Sequence, residues 1–237
     1  MKSNSKQIEY TGKDNLDVME VAINYNNFLT KLVLSSINSN GLVVDFGAGN
    51  GTFAKRIAAD GHNVICIETD PILISDLEKA GLKVMDSLDA IPDSSVDFLY
   101  SLNVLEHIAE DFGVSKLWFR KLRPGGSIVV FVPAFQFLYT SMDRKVGHER
   151  RYTRKSLNSV IMNAGFNVNK IYYADSLGIL ATMLYKAMDK GLGNVNLRLL
   201  KLYDSVVFPI SCALDFFLNP ICGKNLVVIA SKPSKTG

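Results

Sequence analysis

The 237-residue sequence is poor in cysteine, and Cys66, Cys212 and Cys222 form neither a C-x-x-C pair nor a Cys/His cluster with zinc spacing. No metal site is expected, and Cys66, inside an apolar strand-like run, points to a reduced, cytoplasmic setting. Charge of one sign is also scarce. Lys plus Arg number 26 against 23 Asp plus Glu, and a net +3 is too small to argue for a nucleic-acid or anionic-membrane partner by bulk electrostatics. The polar stretch 1–15 lacks the apolar core of a signal peptide, so secretion is not expected. No apolar run approaches the roughly twenty residues of a membrane span: in the most hydrophobic region, 177–222, Lys186, Asp204, Pro209 and Asp215 interrupt it.

What is present is the alternation of an α/β domain. The chain is long enough for one such domain with a large core and too short for two full-sized enzymatic ones. Val18, Val21, Ala22, Tyr25, Phe28, Leu29, Leu32 and Val33 recur with helical spacing and predict one amphipathic helix over 17–37. From Gly41 onward short apolar runs alternate with helix-like stretches, the pattern of a parallel sheet with crossovers. Strands are predicted at 42–46, 63–68, 83–85, 96–102 and 127–132, with helices at 53–60, 72–80 and 111–122. Thr153 caps a helix that Gly165 stops, 166–173 is a sixth strand and 225–231 a seventh. About fifty residues separate the last two strands where a hairpin needs only a few, which marks an insertion.

The most informative stretch is Val43-Val44-Asp45-Phe46-Gly47-Ala48-Gly49-Asn50-Gly51. An apolar strand ends in an acid and runs into a glycine-rich turn before a helix, so a ligand can approach the backbone closely. The spacing is G-x-G-x-G rather than the G-x-G-x-x-G of a dinucleotide turn, and Asp45 would repel a pyrophosphate but accept an ammonium. Glu68 closes the second strand about twenty residues on, where a carboxylate can accept both hydroxyls of a ribose. A solvated strand-end carboxylate is the plainer alternative, and Asp70 is its neighbour and competitor.

In order, VVDFGAGNG, VICIETDP, VDFLYSLNVLEHI and LRPGGSIVVFVP resemble the class I S-adenosylmethionine-dependent methyltransferases, in particular the small-molecule group termed type 11 or UbiE/UbiG-like. The resemblance covers residues 41 to about 166. It implies a Rossmann-like seven-stranded methyltransferase sheet with an N-terminal helical cap and a helical insertion between strands six and seven. It also implies S-adenosylmethionine as cofactor, with S-adenosylhomocysteine as product. Carried over by motif, Asp45, Gly47, Ala48 and Gly49 would hold the methionine part, Glu68 and Thr69 the ribose side, and Ser87 and Leu88 the adenine. Leu102 and Asn103 would pass beside the methionine moiety, and Tyr10 and Tyr25 would close over the cofactor. The D/N-P-P-Y/F/W motif of amino methyltransferases acting on DNA bases is absent, because Asn103 is followed by Val104 and Leu105.

The stretch PAFQFLYTSMDRKVGHERRYTR, 133–154, follows the fifth strand at the carboxyl end of the sheet, where ligands of such folds bind. Asp143, Arg144, His148, Arg150, Arg151 and Tyr152 gather an acid, an imidazole, cations and a phenol there. His148 is the first candidate base for an acceptor hydroxyl, with His107 and Glu106 in reserve. Tyr25, Arg144, Arg150 and Tyr152 are candidate acceptor contacts, and the arginines would suit a carboxylate or phosphate. The competing readings are a loop whose arginines pair with nearby carboxylates and a His107 hydrogen-bonded to backbone.

The resulting expectation is a cap segment at 1–40, a cofactor-binding core at 41–176, an apolar helical insertion at 177–223 and a last strand with tail at 224–237. The function expected is methylation of a small-molecule acceptor at oxygen or nitrogen, on a lipid-linked, sugar-derived or natural-product substrate. A noncatalytic S-adenosylmethionine-binding scaffold and an NAD-dependent oxidoreductase are the alternatives. The insertion is expected to be a lid over an apolar acceptor, with a homodimer interface or a peripheral membrane contact as the other two readings.

Overall fold

The computed structural model describes residues 19–189, 191, 193 and 196–234, so Tyr10 lies outside the described residues. Seven strands form one sheet in the order β3-β2-β1-β4-β5-β7-β6. They are β1 (Leu42–Phe46), β2 (Asn63–Ile67), β3 (Lys83–Met85), β4 (Val96–Leu102), β5 (Leu122–Pro133), β6 (Asn167–Ala174) and β7 (Asn225–Ser231). The first five run parallel, and β7 inserts antiparallel between β5 and β6. The expected strand positions and the antiparallel seventh strand are present. β5 begins earlier than the predicted 127 because Leu122 pairs with Val96 ahead of a register shift.

Both faces of the sheet are covered, which is why the central strands read as near-continuous apolar runs. Successive side chains alternate between two cores. Val44, Ile65, Leu99, Val130 and Val228 point to one face, where Trp118 of α4 (Asp111–Lys121) and Leu157 and Ile161 of α6 (Arg154–Asn163) cover them. Val43, Cys66, Phe98, Val129 and Val227 point to the other. There they meet Leu29 and Val33 of α1 (Ile23–Leu34), Ile57 of α2 (Thr52–Ala59) and Leu77 of α3 (Pro71–Lys79). α1 is shorter than the predicted 17–37: Met19 and Glu20 form a separate helical piece, and the chain breaks at Val21 and Ala22 before Ile23.

The loop after β5 carries α5 (Ser141–Val146) and then folds back against its own start. Tyr152 N–H donates to the Pro133 carbonyl at 2.9 Å, and Phe135 N–H donates to the Tyr152 carbonyl at 2.8 Å. The insertion holds α7 (Gly178–Met188), α8 (Leu197–Leu202), a π-helical segment (Tyr203–Val207) and α9 (Phe208–Leu218). Asp204 and Asp215, which interrupt the apolar pattern in sequence, both turn inward to backbone N–H groups. Leu180, Leu184, Leu199, Phe216 and Phe217 stay exposed. Among the described residues no helix is long and apolar enough to cross a membrane.

Candidate functional site

The glycine turn is drawn across the end of β2. Gly47 and Ala48 N–H groups both donate to the Ile67 carbonyl, at 2.9 and 3.1 Å. Gly47 has φ +81°, and a Cβ there would lie 2.4 Å from the Val104 side chain, so the turn closes only on glycine. The arrangement sets Glu68 against the turn. Its Oε2 accepts from Gly49 N–H at 2.8 Å, and its Oε1 accepts from Thr69 and Asp70 N–H at 2.7 and 3.0 Å. A carboxylate offers about four lone-pair positions, so these three bonds leave it able to accept from a ligand.

Asp45 lies beneath the turn at 3% exposure, and its Oδ2 has no hydrogen-bond partner. Burial pushes its carboxyl up to about 7, the nearby Tyr100 hydroxyl opposes the rise, and the negative Glu68 adds to it. A buried carboxylate oxygen without a partner, under a turn that excludes side chains, fits the ammonium end of an amino-acid ligand. Asn103, at φ +55° just after β4, donates its backbone N–H to the Phe131 carbonyl at 2.8 Å and its side-chain amide to the Tyr25 hydroxyl at 3.3 Å. The Tyr25 ring packs edge-on against Phe131 and Phe208. Leu102 is buried beside it. Ser87 caps a short 3₁₀ turn by accepting from Asp89 N–H at 3.1 Å. Leu88, the first residue of that turn, places its side chain in the core.

A second group of residues converges from two distant stretches. Asp143 is buried and organises the loop after β5. Its Oδ2 accepts from Thr140 N–H at 2.7 Å, from the Thr140 hydroxyl at 2.9 Å and from Arg151 Nη2 at 2.9 Å. Its Oδ1 accepts from Arg151 Nε at 2.8 Å and lies 2.8 Å from His148 Nδ1. Burial alone would raise this carboxyl, but the hydrogen bonds from His148 and Arg151 override it and hold Asp143 well below the usual carboxylate range. With Nδ1 engaged, His148 Nε2 faces Glu106 Oε1 at 3.7 Å.

Glu106 is fully buried, and neither of its oxygens has a hydrogen-bond partner. Burial pushes its carboxyl up to about 8, against the lowering influence of its own backbone N–H and of Arg151. The His107 ring sits 4.5 Å from that of His148 in edge-to-face contact. Partial desolvation, followed by the neighbouring His148, pushes its imidazole down to about 4, while backbone hydrogen bonds to Gly147 and Val146 oppose the shift. The loop is fastened to the turn after β4 by the Glu149 N–H bond to the Glu106 carbonyl at 2.8 Å. The three candidate proton-handling residues, Glu106, His107 and His148, therefore meet, whereas His62 lies beside Asp60 in the α2–β2 connection.

The arginines divide. Arg150 pairs with Asp111 at 3.0 Å and donates to the Ala109 carbonyl at 2.9 Å. Tyr152 is buried and donates its hydroxyl to Asp111 at 2.8 Å. With Arg151 on Asp143, these groups hold the loop in the way the charge-pairing reading of the sequence expects, and Arg144 is exposed. Two features were not read from the sequence: Asp143 as the hub of the loop, and Asp204 as a partner of Asn24 and Tyr25. The D-x4-H-x2-R spacing around Asp143 is the only signal that could have found the first.

Residues 44–130 match a family model described as a methyltransferase domain. An "uncharacterized methyltransferase" of Mycolicibacterium vanbaalenii is 38% identical over 37% of each chain. Another, of Mycolicibacterium gilvum, is 30% identical over 57% of this chain and 58% of its own length. The chain thus spans 37% and 58% of the lengths of these two curated relatives. A SAM-dependent methyltransferase from Archaeoglobus fulgidus superposes with TM-score 0.62 at 17% identity, covering 92% of this chain and 99% of the other. Haemonchus contortus phosphoethanolamine N-methyltransferase 2, crystallised with S-adenosylmethionine, superposes with TM-score 0.64 at 16% identity, covering 96% of this chain and 59% of the other. At such identities the likeness is one of fold. The ordered motifs and the family match identify residues 44–130 as a methyltransferase domain of the type 11 kind, and the sheet order is that of the Rossmann-like S-adenosylmethionine-dependent methyltransferase fold.

Proposed function

We propose that this chain transfers the methyl group of S-adenosylmethionine to oxygen or nitrogen of a small-molecule acceptor. The observation that carries the reading is the buried Asp45 carboxylate, one oxygen unpartnered, beneath a turn that only glycine can close, with Glu68 alongside. In this reading Asp45 takes the ammonium of the cofactor, and the backbone of Gly47, Ala48 and Gly49 lies along its methionine part. Glu68 accepts from the ribose, with Thr69 beside it. Ser87 and Leu88 border the adenine, and Leu102 and Asn103 line the far side. The bound cofactor supplies an electrophilic sulfonium methyl whose sulfur departs as a neutral thioether. The residues are then left to align the acceptor, exclude water and receive a proton.

Glu106, His107 and His148 are the proton-handling group, with His148 first because Asp143 fixes its Nδ1 and leaves Nε2 toward the site. Tyr25 and exposed Arg144 are the acceptor contacts we favour, while Arg150 and Tyr152, tied to Asp111, shape the wall beside them. The insertion serves as a lid, resting on the loop after β5 through the Lys186 Nζ bond to the Phe137 carbonyl at 2.7 Å. Calorimetry with S-adenosylmethionine, S-adenosylhomocysteine and NAD tests the reading. The first two are expected to bind at about micromolar Kd, and binding of NAD alone would overturn it.

The pH dependence of cofactor binding follows from Asp45. Its carboxyl, pushed up to about 7 by burial, is protonated below that pH in the free protein and must ionise to pair with an ammonium. S-adenosylhomocysteine affinity is therefore expected to rise about tenfold from pH 6 to pH 8. At pH 6 binding should release a proton, seen as a calorimetric enthalpy that varies with the buffer. Asp45→Asn should flatten the profile. A flat profile in the wild-type protein would remove Asp45 from the ammonium site.

A further inference from the structure

The junction of Glu106, His107 and His148 has an electrostatic imbalance that proton handling alone leaves in place. Glu106 is fully buried with two unpartnered oxygens, and an unpaired buried carboxylate is costly unless it is neutralised or meets a cation. His148 Nε2 stands at 3.7 Å from Oε1, beyond hydrogen-bond reach. His148 already has Nδ1 on the Asp143 carboxylate at 2.8 Å, and the His107 ring lies against backbone groups of Val146 and Gly147. A carboxylate or carbonyl on one imidazole nitrogen, with the other left open, is the arrangement that orients metal-bound histidines. One ring nitrogen of each histidine and a Glu106 oxygen lie within 4.8 Å of one another.

We propose that Glu106, His107 and His148 bind one divalent transition-metal ion of the zinc class, with Asp143 as the positioning residue that holds His148. The assignment rests on the site proposed above for the acceptor and specifies how that site is completed. Two imidazoles and one carboxylate favour a borderline d-block cation over magnesium or calcium, which prefer all-oxygen shells. Around tetrahedral zinc, ligand atoms about 2.1 Å from the metal stand roughly 3.4 Å apart, a contraction within the range of side-chain rotation. His107 is exposed and the His148 side chain keeps 15% of its surface accessible, so the cluster has an open side toward an arriving acceptor. An acceptor hydroxyl on that open side would lose its proton to water, its O–H electron pair staying on the oxygen, as zinc acidifies bound water. His148 is then a ligand rather than the base.

The test uses the full chain, stripped with a chelator and titrated with Zn²⁺ by calorimetry and with Co²⁺ by visible absorption. We expect one ion per chain at micromolar Kd or tighter, with d–d bands typical of a nitrogen- and oxygen-ligated Co²⁺ ion. His107→Ala and His148→Ala should each weaken binding at least 100-fold. Asp143→Asn should weaken it about tenfold, and rescue by Asp143→Glu would mark a positioning effect. S-adenosylhomocysteine affinity, measured on the same samples, should change less than threefold. Substoichiometric binding by the wild-type protein would overturn the proposal, a result that needs no variant to fold. Co²⁺ bands that persist in the His107→Ala/His148→Ala double variant would do the same. Zinc binding in a protein that fails to bind S-adenosylhomocysteine would uphold the metal site and overturn the methyltransferase reading.

Discussion

Glu68→Ala is expected to weaken S-adenosylhomocysteine binding about 100-fold, close to 2.7 kcal/mol. Two losses add. The first is the proposed hydrogen bond to the ribose hydroxyls, worth roughly 1.5–3 kcal/mol for an ionised acceptor. The second is the pinning of the glycine turn, since Glu68 accepts from Gly49, Thr69 and Asp70 N–H groups and so fixes the turn against the end of β2. Glu68→Gln separates the two: its amide oxygen can still accept from Gly49 but presents an N–H where the second oxygen stood, so an intermediate loss near tenfold is expected. Because Glu68 is half-buried at a strand end, outside both cores, the alanine variant should keep its far-ultraviolet dichroism and melt cooperatively. Calorimetry is the measurement, and an affinity within threefold of wild type would move the ribose away from Glu68.

The sheet and the glycine turn were legible in the sequence because their determinants are local. β1, β2 and β4 are doubly covered and therefore apolar almost throughout, and the turn is contiguous with the strand that positions it. The beginning of β5 was not legible: Leu122 pairs with Val96, and Gly125 N–H donates to the Lys232 carbonyl at 2.9 Å, so Pro124-Gly125-Gly126, ahead of the predicted start at 127, is carried inside the strand. The junction of Glu106 and His107 with His148 was beyond reach for a different reason. Forty residues separate the two stretches, and what joins them is a backbone bond from Glu149 together with the folding of the loop on Asp143. Arg150 shows the converse. A cation beside a presumed acceptor site reads as an anion clamp until Asp111, on another element, is seen to occupy it.

Asp204 is the strongest case of a residue whose role lies wholly in long-range contact, and Asp204→Ala is expected to destabilise the protein by about 2–3 kcal/mol. α1 has Ala22 at its N-cap and no side-chain cap of its own. The missing acceptor arrives from the insertion: Asp204 Oδ1 accepts from Tyr25 N–H at 2.9 Å and Oδ2 from Asn24 N–H at 2.9 Å. The carboxylate thus caps a helix nearly the whole chain away, where the helix dipole favours negative charge. It is 4% exposed, and truncation leaves two part-buried N–H groups without this acceptor, a loss of roughly 1–3 kcal/mol. Melting followed by circular dichroism should show a midpoint lower by about 5–10 °C, with Asp204→Asn recovering part of the difference through its amide oxygen. The substitution should also reach the cofactor site, because Tyr25, the residue whose N–H is capped, is the one that meets Asn103 at the end of β4. A fall of about threefold to tenfold in S-adenosylhomocysteine affinity, on the scale of one neutral hydrogen bond, is expected at temperatures where the variant is fully folded. If the midpoint drops while affinity holds, the insertion stabilises α1 without steering Tyr25; if neither moves, the contact between Asp204 and α1 does not bear on the folded state.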